Sequence, residues 1–137
     1  MGRWGENENL DFIISSATSV LTTSFGDNTQ IALLPRTQTF ILLVRYPVKG
    51  AESELQIRVE YAQQFETVKN FYRESVMDVN TKEVQAFDYR INSAGNYRIA
   101  LPVSIQEDQV KISVRGLGSG PFTAAEVTLD FVVDKIV

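Results

Sequence analysis

The 137-residue sequence contains no cysteine and no histidine. Without cysteine there is no thiolate nucleophile, no iron–sulfur ligand and no disulfide. Without histidine, the Ser-His and Cys-His hydrolases, the commonest zinc sites and an imidazole pH switch are all excluded. Carboxylates, lysine, tyrosine and hydroxyl groups are what remains for chemistry. We therefore expect a protein that is not an enzyme and that binds no cofactor.

Basic residues and long apolar runs are also scarce. Thirteen Lys and Arg face seventeen Asp and Glu, which gives a net charge of −4. No window gathers the basic residues into the patch that sequence-independent nucleic-acid binding requires. No apolar run approaches the roughly 18 residues that cross a bilayer, and residues 1–9 lack the apolar stretch of a signal peptide. We expect no nucleic-acid partner, no membrane partner and a cytosol-like setting.

Proline and glycine are too few for a fibrous or low-complexity chain, with four and eight copies respectively. The sequence is 44% apolar and 22% charged, which is typical of a globular protein, and its length suits one domain. No repeat and no linker is visible. The sequence therefore predicts a short polar N-terminal arm, residues 1–9, followed by a single domain over residues 10–137.

Apolar and polar residues alternate through most of the chain, which is typical of half-buried strands. The alternation is clearest in residues 55–61, 97–103, 110–114 and 127–133. Residues 40–46 (FILLVRY) are apolar at both parities, which predicts a central strand covered on both faces. Turn-forming residues separate these runs at intervals of about ten residues. The pattern predicts an all-β fold, an antiparallel β-sandwich or jelly roll of about eight strands.

Residues 63–79 fit two patterns. An amphipathic helix is indicated by apolar residues spaced three and four apart, namely Phe65, Val68, Tyr72, Val76 and Val79. The alternative is a polar loop followed by a strand over residues 69–77, and the aromatic and β-branched residues there favour the strand.

Three local features could carry chemistry. Residues 115–121 (RGLGSGP) look like a phosphate-binding loop, but a predicted strand follows them and no Gly-Lys-Ser/Thr is present, so we predict a hairpin connection. The acidic pairs Glu52 with Glu54 and Glu107 with Asp108 lie in or beside predicted turns, where we expect solvated carboxylates rather than an acid–base pair.

Calcium and sugars are the two ligands with candidate residues. Asp27 and Asn28, together with Glu107 and Asp108, supply oxygen ligands that calcium prefers, but their spacing matches no EF-hand, so we expect no metal site. Exposed aromatic rings could stack on sugars, as in carbohydrate-binding β-sandwich modules. The aromatic candidates are Trp4, Phe65, Phe71 and Tyr72.

Both ends of the chain carry residue types found at interfaces. Arg3 and Trp4 belong to the types most enriched at interface hot spots, and the chain is apolar up to Ile136 and Val137. An ordered arm would place Arg3 and Trp4 against their own domain or against a neighbouring subunit. The interface candidates are therefore Arg3, Trp4, Leu10, Ile136 and Val137.

Six segments between residues 40 and 118 form a further pattern of strands: 44–46 (VRY), 50–52 (GAE), 55–61 (LQIRVEY), 71–74 (FYRE), 95–103 (GNYRIALPV) and 110–118 (VKISVRGLG). The pattern resembles small bacteriophage virion structural proteins of the head decoration, or cement, type. Residues 63–70 depart from the Asp-Gly hairpin usual in that pattern, and the first forty residues carry no resemblance.

The resemblance implies a virion component on the head surface, assembled in the host cytoplasm. Such a protein would bind the lattice of the major capsid protein and stabilise it, often as a homotrimer with exchanged arms. A neck or tail structural protein would use similar contacts at a different ring symmetry. A carbohydrate-binding β-sandwich module is the alternative from another class.

Overall fold

A computed structural model describes residues 10–33, 37–101, 103–104, 106–120, 122 and 126–135. This part of the chain contains eleven strands, one short 3-10 turn at Phe25–Asp27 and no α-helix. It therefore has no helix long and apolar enough to span a membrane. The strands are β1 Leu10–Val20, β2 Thr29–Leu33, β3 Thr37–Val48, β4 Glu54–Gln63, β5 Tyr72–Arg73, β6 Ser75–Met77, β7 Val84–Ala86, β8 Tyr89–Ile91, β9 Gly95–Leu101, β10 Glu107–Leu117 and β11 Glu126–Lys135.

The strands form two larger antiparallel sheets and a separate hairpin. The four-stranded sheet has the order β9-β3-β11-β1. In the five-stranded sheet β2, β10 and β4 lie side by side, and the remaining edge of β4 pairs with both β5 and β8. Within the described residues, β6 and β7 pair only with each other.

One hydrophobic core joins the two sheets, and it explains the alternation in the sequence. Every second side chain of the inner strands is buried in it, which contributes roughly 1.5–3 kcal/mol for each large apolar side chain. These residues are Phe40, Leu42, Val44 and Tyr46 of β3, Leu55, Ile57, Val59 and Tyr61 of β4, and Val110, Ile112 and Val114 of β10. The prediction of an all-β, antiparallel, sandwich-like structure is therefore confirmed.

Two local predictions are refined by the strands. Residues 63–79 contain the end of β4, a turn, β5 and β6, so the helix is wrong and the strand interpretation is correct in part. In place of one strand over residues 69–77 there are two short strands, which belong to different sheets. The helical spacing fails because Tyr72 is paired with Tyr61 in the sheet. β3 is a central strand, as predicted, but only one of its faces is fully buried, since Ile41 and Leu43 are half-buried.

Four short strands, β5–β8, raise the strand count above the predicted number of about eight. They lie within residues 72–91, where the chain repeatedly joins and leaves sheets. Runs of two or three residues are too short to show alternation, so sequence patterns merge them or miss them.

The glycine-rich stretch after β10 carries the chain from one sheet to the other, so the predicted hairpin connection there is wrong. β10 lies in the five-stranded sheet and β11 in the four-stranded sheet. A Cβ atom on Gly116 would lie 2.8 Å from the ring of Phe122, and Gly118 has a φ of +133°. The two glycines therefore let the chain turn tightly over Phe122, which is buried at the end of the core.

Gly116→Ala is expected to lower the free energy of unfolding by about 1–3 kcal/mol, because the added methyl group would overlap the ring of Phe122. Urea unfolding monitored by circular dichroism measures this change. Gly26→Ala is the matched control, since a Cβ atom there would meet only the Ser24 hydroxyl, at 3.6 Å. Its expected effect is below about 0.5 kcal/mol. Equal losses in the two variants would contradict the packing role of Gly116.

Candidate functional site

Of the five interface candidates at the chain ends, Leu10 alone lies within the described residues. Arg3, Trp4, Ile136 and Val137 lie outside the described residues, as does the whole predicted arm. Leu10 is the first residue of β1, which forms one edge of the four-stranded sheet. The role of these five residues, and the division into arm and domain, stay predictions.

An interrupted edge strand along β4 creates the most distinctive feature of the structure. β5 pairs with the C-terminal half of β4, and β8 pairs with its N-terminal half. Where β5 ends, the N–H of Glu74 still donates to the carbonyl of Val59, at 3.1 Å. β5 and β8 are thus two pieces of one edge strand, and the chain between them leaves the sheet.

The excursion forms a hairpin, residues 75–86, which we call the projecting hairpin. Its strands are β6 and β7, and its neck is closed by the N–H of Phe87, which donates to the carbonyl of Glu74 at 3.1 Å. At the tip, the Asp78 carboxylate accepts hydrogen bonds from the N–H groups of Asn80 and Thr81, at 2.8 and 3.0 Å. The hairpin therefore has a defined conformation from its neck to its tip.

Four apolar side chains of the projecting hairpin are exposed to solvent. The exposed fractions are 56% for Val76, 52% for Met77, 70% for Val79 and 70% for Val84. Grouped apolar exposure of this kind marks interaction sites, because leaving such side chains in water is unfavourable. A lone two-stranded hairpin is also only marginally stable in water. Both facts favour a docked state in which a partner covers the hairpin.

One carboxylate fastens the base of the hairpin to the sheet. Asp88 accepts hydrogen bonds from Nε and Nη2 of Arg58 at 3.0 and 3.2 Å, and from Nη2 of Arg73 at 2.9 Å. Arg58 belongs to β4, Arg73 ends β5 before the hairpin, and Asp88 follows the hairpin. We call these three residues the Asp88 clasp, because they join β4 to the chain on both sides of the hairpin. Burial raises the pKa of Asp88, but the bonds and charges of the two guanidinium groups outweigh it and leave the pKa below its usual value.

Further contacts on the outer face of the five-stranded sheet hold Arg58 in place. The guanidinium groups of Arg58 and Arg115 both stack on the ring of Phe25, at 4.1 and 4.5 Å from its centroid. Such cation–π contacts contribute about 0.5–1 kcal/mol at exposed sites. Arg115 in turn donates to the side-chain oxygen of Gln56 at 2.8 Å. These contacts hold the side chain of Arg58 in the position from which it binds Asp88.

The first acidic pair is buried, so the expectation of solvated carboxylates is wrong for Glu52 and Glu54. Glu52 is 0% exposed and accepts a hydrogen bond from the hydroxyl of Tyr46, whose pKa is raised by burial and by this bond. The turn is covered because the Gly116 segment packs against Glu52. Arg90 donates two hydrogen bonds to Glu54, at 2.7 and 2.9 Å, and these lower the pKa of that carboxyl.

The calcium candidates lie at opposite ends of β10. Asn28 accepts a hydrogen bond from the N–H of Val114, whereas Glu107 and Asp108 begin the strand, about 20 Å away. Asp108 is engaged by the Lys69 ammonium group at 2.7 Å. Within the described ranges, no group of three or more acidic residues could hold a metal ion.

Of the aromatic candidates for sugar binding, Phe65 and Tyr72 are exposed, at 78% and 47%. Phe71 is half-buried beneath the Lys111 ammonium group, which lies 4.4 Å from the ring centroid. Trp4 lies outside the described residues. The rings of Phe65 and Tyr72 are therefore the two that could stack on a sugar.

Sequence patterns do not single out the projecting hairpin. The short apolar run Val76-Met77 looks the same in an exposed strand as in a buried one. The one available signal is the length of the apolar runs. The runs on either side of the turn at Asp78–Glu83 are shorter than a typical core strand of about 5–6 residues. Exposure follows from the pairing of β4 with distant residues, which local sequence does not encode.

No protein-family model matches this chain, and no curated protein matches it in sequence. The resemblance of residues 40–118 to virion proteins therefore stays an expectation drawn from the sequence alone. The projecting hairpin and its clasp are the observations from which a function can be proposed.

Asp88→Asn is expected to lower the free energy of unfolding by about 1–3 kcal/mol at neutral pH. The amide keeps the size of the side chain but loses the charge that binds the two guanidinium groups. Urea unfolding measures the loss. Glu83→Gln removes an exposed carboxylate from the hairpin tip and is the control, with an expected change below about 0.5 kcal/mol. Equal stability of the Asp88 variant and the native protein would contradict the clasp.

The stabilisation by Asp88 is expected to depend on pH. Because the pKa of Asp88 is lowered in the folded protein, its contribution is complete above the unfolded pKa, about 3.9, and is lost as the pH falls through the folded pKa. The stability difference between the native protein and Asp88→Asn should be constant above about pH 5 and shrink below about pH 4. A difference unchanged at about pH 2 would show that the ionised carboxylate is not its source.

Proposed function

We propose that this protein is a bacteriophage capsid decoration protein that binds the lattice of the major capsid protein at the head surface and stabilises it. The observation that carries the proposal is the projecting hairpin, an exposed apolar element on a fastened base. The resemblance of residues 40–118 to cement proteins supports it, and so does the all-β body. In this proposal the two sheets form the sandwich or jelly roll of such proteins.

Stabilisation of the head would follow from mass action. A site formed by neighbouring subunits exists only in the assembled lattice, so binding there favours the assembled state. A specific contact of this kind needs about 800 Å² on each partner. A homotrimer, held by the arm residues Arg3 and Trp4, would engage three sites, and the second and third binding events would become intramolecular.

The charge of the protein fits this location. With a net charge of −4, it is suited to the outside of the head, away from packaged DNA, because like charges repel. A neck or tail position would use the same hairpin on a ring of different symmetry.

Replacing residues 75–86 with Asn-Gly tests the proposal. The N–H of Phe87 already donates to the carbonyl of Glu74, so two residues between them form a hairpin turn that keeps this bond. The shortened protein is expected to fold, as circular dichroism and urea unfolding would show. It should no longer cosediment with heads assembled from the major capsid protein of the same phage.

The double variant Phe65→Ser, Val68→Ser is the control for this experiment. It removes two apolar side chains that are 78% and 80% exposed but lie outside the hairpin, and it should bind heads like the native protein. Undiminished binding by the shortened protein would exclude the hairpin as the site. Failure of the native protein to bind heads at all would refute the decoration function.

Carbohydrate binding is the second candidate, and the exposed rings of Phe65 and Tyr72 favour it. The hydroxyl of Tyr72 donates to Glu66 at 2.5 Å, which fixes the position of the ring. This function predicts that the native protein binds a glycan array and that Phe65→Ala abolishes the signal. The decoration function predicts no glycan signal and normal head binding by Phe65→Ala.

A further inference from the structure

We infer that the projecting hairpin inserts as a wedge into an apolar cleft between two neighbouring lattice subunits, so that both of its faces are covered. The inference rests on the proposed function and specifies how the contact is made. It follows from the distribution of apolar side chains on the hairpin, from the size of the hairpin and from its open edges.

Apolar side chains lie on both faces of the hairpin. In the register of β6 and β7, Val76 is opposite Gln85 and Met77 is opposite Val84. Successive side chains of a strand point to opposite faces. Val76 therefore lies on one face, Met77 and Val84 lie on the other, and Val79 lies in the turn at the tip. A flat partner surface would leave one of these faces in water, whereas a cleft covers both.

The size of the hairpin argues against a second copy packed face to face. Each strand of the hairpin has three residues and is therefore about 10 Å long, and the two strands side by side are about 10 Å wide, so one face of the paired strands offers roughly 100 Å². A stable specific interface needs about 800 Å² on each partner. A cleft covers both faces, the tip and the edges, and brings its walls close to the protein body, which adds further area.

The edges of the hairpin are open to strand pairing. The N–H of Phe87 donates to the carbonyl of Glu74 at the neck, and the N–H of Asp78 donates to the carbonyl of Glu83 at the tip. Hydrogen-bonded and non-hydrogen-bonded positions alternate along an antiparallel ladder. The backbone N–H and C=O groups of Met77 and Val84 therefore point away from the partner strand. Among the described residues, neither edge has another strand beside it. A strand of a lattice subunit can thus be added at either edge of the hairpin, in addition to the apolar contacts on its two faces.

The charges of the hairpin indicate the polarity of the cleft. The strands Ser75–Met77 and Val84–Ala86 carry no charged residue. The charged residues Asp78, Lys82 and Glu83 all lie at the tip. The walls of the cleft are therefore apolar and its floor is polar. A cleft between two subunits exists only in the assembled lattice, so the wedge would select assembled heads over free capsid subunits.

Substitutions on each face test the wedge separately. Val76→Thr and Val84→Thr keep the size and β-branching of valine but place a hydroxyl group against an apolar wall. Each is expected to weaken head binding about tenfold, and the double variant about a hundredfold. Val68→Thr, at a valine 80% exposed outside the hairpin, is the matched control and should bind normally. Circular dichroism and urea unfolding verify that all four variants are folded.

Each outcome decides between occupants of the site. Loss of affinity in only one of the two single variants would mean that one face is covered, which overturns the wedge but leaves the decoration function intact. A native mass that is lower for Val84→Thr than for the native protein, measured by light scattering, would identify a second copy of this chain as the partner of the hairpin. That result would also overturn the wedge. Normal binding by both variants and by the shortened protein would exclude the hairpin altogether.

Discussion

Every backbone N–H and C=O group of β4 must find a partner, because this strand lies inside the five-stranded sheet with its inner side chains in the core. β10 supplies these partners along one edge, and β5 and β8 supply them along the other. The partners of Ile57 and Glu60 are Tyr89 and Arg73, which are sixteen residues apart in sequence. Most of the intervening residues cannot fit along the edge, and they form the projecting hairpin.

The Asp88 clasp converts this excess of chain into a defined structural element. Asp88 follows the hairpin and binds Arg73, which precedes it, and Arg58, which lies on β4. A hairpin with a fastened base has less conformational freedom to lose when a partner binds it, and this favours affinity. The same carboxylate thus contributes to the stability of the fold and to the readiness of the hairpin for docking.

The strands that form the core could be predicted from the sequence because burial on one face produces alternation, as in residues 55–61 and 110–114. The features that could not be predicted depend on contacts between distant residues. Gly116 looks like part of a flexible loop until Phe122 is placed against it. Glu52 looks solvated until the chain connecting the two sheets covers it. The exposure of Val76 likewise depends on where β5 and β8 pair.

Hydrogen–deuterium exchange of the protein, free and bound to assembled heads, tests the central claim most directly. A hairpin docked between lattice subunits predicts that peptides covering residues 75–86 exchange rapidly in the free protein and become protected on the heads. Protection confined to other segments, such as residues 64–70, with unchanged exchange over residues 75–86, would contradict the claim.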